Sequence, residues 1–171
     1  QVIRLKGCIH FDIPRDSVLD QCIQYYQKMN NLRMLFYCYL YKGYILLLSN
    51  HDYYSASVWL KKAEDLTKSV NDIQLKYLTY EALASLNYYS GNNDLAMYYS
   101  YKTLECAKIS RNNHMMTYAC NHLVVLYLDK EEIDSVQKYN ALSMSIVNKM
   151  LPKDRSFALG NIGSIYLGNN D

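Results

Sequence analysis

From Leu40 to Thr67 the chain reads LYKGYILLLSNHDYYSASVWLKKAEDLT: an apolar run, a short polar break, then an amphipathic run. Leu40, Gly43, Tyr44 and Leu47 share one side of the first run at helical spacing, and Ala56, Leu60 and Ala63 share one side of the second. This predicts a helix over 32–49, a turn, and a helix over 53–69. The pattern returns every forty residues, with Leu40 matched by Tyr80 and Cys120, Ala56 by Ala96 and Val136, and Lys62 by Lys102. A fixed period of this size marks stacked helical units, none of which can bury its apolar stripe alone.

The same reading extends to both ends. Leu5-Lys6-Gly7-Cys8-Ile9 echoes Tyr41-Lys42-Gly43-Tyr44-Ile45, so the opening dozen residues read as the end of a first helix, with Pro14 marking the turn. Asp16 or Ser17 can cap the helix that follows, in which Leu19, Ile23 and Tyr26 fall on one face. Alternation of Ile9, Phe11 and Ile13 offers a strand instead, but a lone strand has nothing to pair with. The third unit runs from Asp72 to Ser110, with Tyr80, Leu83, Ala84 and Asn87 inward, a break at Gly91-Asn92-Asn93-Asp94, and Ala96 and Thr103 inward after it. The fourth runs from Asn113 to Met150, with Cys120, Leu123, Val124 and Tyr127, then Ile133, Val136 and Ser143. Its turn, Asp129-Lys130-Glu131-Glu132, lacks a glycine, the residue that, like Gly91 in the third unit, tolerates the positive φ tight turns often need. Pro152 closes that helix, Asp154 caps the next, and Leu159, Ile162, Gly163 and Tyr166 restart the first-helix pattern. The expected organisation is one all-α array: a partial unit over 1–30, full units over 32–70, 72–111 and 113–150, and a partial unit over 154–171. Truncated units at both ends suggest a fragment of a longer protein.

Composition narrows the function. Two prolines and six glycines in 171 residues are too few for the turns of a β-sandwich, and half the residues are hydrophobic, enough for a continuous core. The formal charge of +2 is spread singly or in pairs such as Lys61-Lys62, which makes no basic stripe for nucleic acid. Nor does any run reach the length of a membrane span, so neither nucleic acid nor membrane is an expected partner of this segment. The five cysteines, Cys8, Cys22, Cys38, Cys106 and Cys120, lack Cys-x-x-Cys spacing and read as small core residues. QVIRLKGCIHFD lacks a signal-peptide layout, and the compartment, cytoplasm or periplasm, stays open.

At the residues Tyr80, Leu83 and Ala84, Leu159, Ile162 and Gly163, the turn His51-Asp52-Tyr53, and Ala56 with Ala63, the chain resembles the tetratricopeptide repeat family. In that family a bulky residue, then Leu and Gly or Ala, occupies the first helix, and small residues recur seven apart in the second. Small residues at the crossing let two helices approach to ~8–10 Å. The forty-residue period exceeds the family's thirty-four, and Thr103 and Ser143 stand where a second alanine is usual. The long, Tyr- and Asn-rich form resembles arrays of bacterial regulatory proteins, among them Bacteroidetes sensor segments and the peptide-sensing regulators of Gram-positive bacteria. The resemblance implies a right-handed superhelix whose first helices line a concave groove for a peptide or partner helix, with no catalysis and no cofactor.

The groove positions implied are Tyr41 and Ile45, then Glu81 and Ser85, then Asn121 and Val125, with Tyr88 and His122 beside them. They lack the fixed positive charge of a carboxylate clamp, which argues against a chaperone-tail co-chaperone; only Lys42 and Asn121 could serve. Most of the 19 tyrosines read as packing residues whose hydroxyls reach the core edge, while Tyr41 and Tyr88 read as anchors for a bound segment. His10, His51, His114 and His122 are too far apart for a helical zinc site. Glu64-Asp65 and Glu131-Glu132 diverge around a helix, a poor geometry for an acid–base pair, and Gly160-Asn161-Ile162-Gly163 lacks the residues of a phosphate loop. The expectation is a non-enzymatic, peptide- or protein-binding segment of a larger regulatory protein; the alternative is a structural scaffold or spacer that self-associates, as a homodimer, through its apolar faces.

Overall fold

A computed structural model describes residues 17–152 together with Asp154, Arg155 and Leu159. The segments 1–16 and 160–171, including the expected turn at Pro14, the candidate strand and the restarted first helix, lie outside the described residues. Between Ser17 and Val147, among the described residues, seven α-helices follow one another: α1 (Ser17–Lys28), α2 (Leu32–Leu48), α3 (Tyr53–Val70), α4 (Ile73–Tyr89), α5 (Asn93–Ser110), α6 (Asn113–Asp129) and α7 (Ile133–Val147). No strand occurs among the described residues, so the protein there is all-α.

The helix ends repeat as the apolar pattern does. The second helices α1, α3 and α5 are followed by a left-handed residue, Asn30 (φ 49), Asn71 (φ 45) and Arg111 (φ 51), and the first helices α2, α4 and α6 by another, His51 (φ 52), Gly91 (φ 78) and Glu131 (φ 58), whereas α7 ends on Asn148 in the right-handed region. An N-cap comes next. The side chains of Asn31, Asp52, Asn92 and Asn112 accept the backbone N–H groups of Met34, Ser55, Leu95 and Met115. Before α4, Asp72 accepts Gln74 N at 2.8 Å. Such caps satisfy donors that the helix itself leaves free. Glu132, in the turn without glycine, makes no side-chain cap bond, yet α7 begins where its counterparts do.

The chain divides into two compact units, one ending at Leu86 and one beginning at Asn87, within α4. In the first, α2 packs on α1 and on α3. Leu19 and Ile23 of α1 are buried, as are Phe36, Leu40, Gly43 and Leu47 of α2 and Ala56, Leu60, Ala63 and Thr67 of α3. Ala56, Leu60, Ala63 and Thr67 follow the i, i+4, i+7, i+11 spacing of one helical face. A crossing this close leaves no room at Gly43, whose added Cβ would lie 2.4 Å from Leu60 Cδ2. Lys42, whose side chain is largely covered, reaches to Asp20 of α1, and its ammonium lies 4.5 Å from the centre of the Trp59 ring. Paired and laid on an aromatic face, that charge avoids the cost of burial alone.

In the second unit, α6 packs between α5 and α7. Leu104, Ala119, Cys120, Leu123, Val124, Val136 and Tyr139 form its main core, and Ile146, Val147 and Met150 a second. Ala96, Thr103 and Ser143 are buried where the forty-residue comparison places small residues. Ile133, expected on the inward stripe, is instead exposed, because it opens α7 and projects from its first turn. Asn87, Tyr80 and Tyr127, also expected inward, are only half-buried. Cys38, Cys106 and Cys120 are buried free thiols, and Cys22 is half-buried; burial pushes the thiols of Cys38 and Cys120 up to about 11, which leaves them protonated and unreactive.

Candidate functional site

On α2 and on α6 one stripe packs on the helix that follows, α3 and α7 respectively, and another holds expected binding residues. On α2 the second stripe runs Met34, Tyr37, Tyr41, Ile45 and Leu48, half-buried or exposed throughout. Tyr37 and Tyr41, one turn apart, stack with ring centres 6.4 Å apart and planes 25° from parallel. Rings held this way lose little further freedom when a partner docks, which suits them as anchors. Ile45 continues the stripe one turn on.

On the first unit's part of α4, Ser85 is half-buried and accessible, whereas Glu81 is not. Glu81 is 9% exposed, and the half-buried Tyr44 of α2 donates its hydroxyl to the carboxylate. That bond ties α2 to α4 and satisfies a charge that burial would otherwise penalise. Glu81, expected as a groove contact, is thus nearly buried and bridges two helices.

The second unit presents Tyr88, Asn121, His122 and Val125. Tyr88, near the end of α4, is half-buried with its ring edge-on to Tyr89 at 5.6 Å. Burial raises its phenol above the ordinary value, and the nearby Asp129 carboxylate, which also hydrogen-bonds it, raises it further. The phenol therefore acts as a neutral donor. On α6, Tyr118, His122 and Val125 form a stripe at i, i+4, i+7. His122 lies 4.9 Å from Tyr118, centre to centre, an aromatic pair one turn apart like Tyr37 and Tyr41. Asn121 turns away from this stripe: it is 4% exposed, and its Oδ1 accepts Ser143 Oγ of α7 at 3.4 Å. Its amide nitrogen finds no partner among the described residues. Expected as a groove contact, Asn121 is buried like Glu81, forty residues earlier.

Sequence reasoning passed over Tyr37 and Tyr118. The signal was present, since each stands four residues before a named candidate. It also passed over two aromatic clusters. One sets Trp59 beside Tyr39 at 5.5 Å, with Lys62 4.0 Å from the indole centre. The other joins Tyr101, Tyr127 and Tyr139, where Tyr101 and Tyr127 meet hydroxyl to hydroxyl at 2.5 Å. Partners twelve or more residues apart leave no spacing by which to find them.

Among the described residues no three His, Cys, Asp or Glu side chains gather as a metal would need, and no helix is long and apolar enough to cross a membrane. The chain matches no protein-family model and none of the curated proteins.

Proposed function

We propose that this chain is a tetratricopeptide-type helical repeat array that binds a peptide or protein segment, within a larger bacterial regulatory protein, and is not itself an enzyme. The observation that carries the reading is the paired aromatic stripe: Tyr37 stacked on Tyr41 ahead of Ile45 on α2, and Tyr118 beside His122 ahead of Val125 on α6. Both lie on first helices, on the face that the second helix does not cover. Rigid aromatic rings with an aliphatic neighbour one turn away suit an amphipathic helix or an extended segment laid across them. Under this reading the array winds as a right-handed superhelix and needs no cofactor.

The test is selection from a random peptide display library on the purified chain, followed by titration of the recovered peptides against Tyr41→Ala and Val125→Asp. Weakening by about tenfold or more in either variant, with the far-ultraviolet spectrum unchanged, supports the assignment; that factor corresponds to ~1.4 kcal/mol. Equal binding to all three proteins would move the site elsewhere. The scaffold reading draws on Leu95, Tyr98 and Ile109, which are exposed along α5. Light scattering separates the two, because a concentration-dependent dimer abolished by Tyr98→Asp favours self-association.

A further inference from the structure

Tyr101 of α5, Tyr127 of α6 and Tyr139 of α7 bring three phenols together inside the second unit. Tyr101 and Tyr127 share a hydrogen bond at 2.5 Å, and Tyr139 donates to the Tyr101 oxygen at 3.2 Å. Tyr139 is buried and its ring lies flat on Tyr127, with centres 5.7 Å apart and planes 11° from parallel. It therefore fixes both partners. Tyr101 is 39% exposed, so small solutes reach the meeting point of the hydroxyls.

The geometry points to Tyr101 and Tyr127 as an oxidative modification site, at which a one-electron oxidant couples the two rings into a dityrosine that staples α5 to α6. In an ortho-linked biphenol the two hydroxyls flank the new carbon–carbon bond and hydrogen-bond across it. Hydroxyls already in contact are the arrangement that product needs. Tyr101 and Tyr139 also meet through their hydroxyls, but by a longer contact of 3.2 Å and with Tyr139 buried, away from an oxidant. Tyr25-Tyr26, Tyr88-Tyr89 and Tyr98-Tyr99 are edge-on neighbours in sequence, whose hydroxyls diverge by about 100° around a helix. The flat stack of Tyr127 on Tyr139 keeps its hydroxyl-bearing edges from meeting head-on.

The chemistry balances with a haem peroxidase and hydrogen peroxide as the oxidant. Each phenol gives one electron to the peroxidase and its hydroxyl proton to solvent. The two phenoxyl radicals join through one ortho carbon each, and the hydrogen on each of those carbons is replaced on the phenol oxygen as the ring regains aromaticity. The net change is loss of two hydrogens from the protein, with one peroxide reduced to water. Burial of Tyr101, and the Tyr101 hydrogen bond at Tyr127, keep both phenols above their ordinary values, protonated and paired at neutral pH.

Dilute purified chain is treated with haem peroxidase and limiting peroxide, then read by dityrosine fluorescence and by mass mapping of tryptic peptides. The expected result is a dominant intramolecular cross-link, two hydrogens lighter than its parent peptides, joining Tyr101 to Tyr127, with a raised midpoint of thermal unfolding. Fluorescence yield falls severalfold in Tyr127→Phe and holds in Tyr54→Phe, which removes a tyrosine that is 81% exposed. Cross-links led by surface residues such as Tyr54 or Tyr98, or a Tyr101 link to Tyr139 instead, would overturn the proposal. Should Tyr127→Phe not fold, the peptide map of the unaltered chain decides by itself.

Discussion

Leu60 of α3 occupies the space that a side chain at Gly43 of α2 would need: a Cβ there would stand 2.4 Å from Leu60 Cδ2 and 2.6 Å from Cγ. Two effects oppose each other in Gly43→Ala. Helix propensity favours alanine by up to ~1 kcal/mol, while overpacking costs about 1–3 kcal/mol. Leu60 is fully buried and cannot swing aside, so overpacking wins. Gly43→Ala lowers the urea midpoint, and adding Leu60→Ala to it costs less than Leu60→Ala costs alone. Simple additivity in that cycle would contradict the crossing.

The turn between α6 and α7 uses Glu131 at φ 58 where its counterpart forty residues earlier uses Gly91 at φ 78. A side chain in the left-handed region costs roughly 1–2 kcal/mol, and glycine gives part of that back as unfolded-state entropy, about 0.5–1 kcal/mol. Glu131→Gly therefore stabilises the chain by up to ~1 kcal/mol. Gly91→Ala destabilises it by a similar amount. Urea titrations of both variants check the sign, which must differ between them.

These two sites show what could be read in advance. Periodicity located the helices because apolar stripes at 3.6-residue spacing survive substitution, and Ala56, Ala63 and Ala96 marked the crossings because they are the residues that fit there. The turn at Glu131 was harder, since a strained residue carries no signature in one sequence. Of the candidate binding residues that the register picks out, Tyr41, Ile45, Ser85, His122 and Val125 are half-buried, whereas Glu81 and Asn121 are drawn inward by Tyr44 and Ser143. Those partners lie 37 and 22 residues away, beyond any local pattern.

Asp52 caps α3 by accepting from Ser55, and that bond, together with the backbone N–H of the same residue, holds its carboxyl below the usual 3.8. A carboxyl lowered on folding adds stability above its unfolded value, and the contribution fades as pH falls through the folded value. Asp52→Asn keeps a cap oxygen but has no charge to lose. The stability gap between the two proteins is therefore constant at neutral pH and narrows below about pH 4. Thermal melts across pH 2–7 measure it, and a gap that widens on acidification would contradict the cap.

Ala96 is fully buried where α5 packs. Arginine there adds volume that no rotamer can place and a charge with no partner. Overpacking alone costs about 1–3 kcal/mol, and charge burial adds to it. Ala96→Arg therefore unfolds at a much lower urea concentration. An unchanged midpoint would mean that the forty-residue register is misaligned.

Asn121 and Ser143 form a buried polar pair in the second unit that is incompletely satisfied, since the Asn121 amide nitrogen lacks a partner among the described residues. An unsatisfied buried donor costs about 1–3 kcal/mol, so Asn121→Leu removes a penalty of that order. It also strips Ser143 Oγ of its acceptor, which returns part of the penalty at a fully buried position. Adding Ser143→Ala, the residue found at the equivalent Ala63, removes the second orphan as well. The double variant is then as stable as the parent or more so, and the single Asn121→Leu lies below it. A double-mutant cycle by urea unfolding reads the coupling, expected at about 0.5–3 kcal/mol for residues in contact. Zero coupling would show that the two side chains do not share a bond, and would return Asn121 to the surface stripe occupied by His122 and Val125.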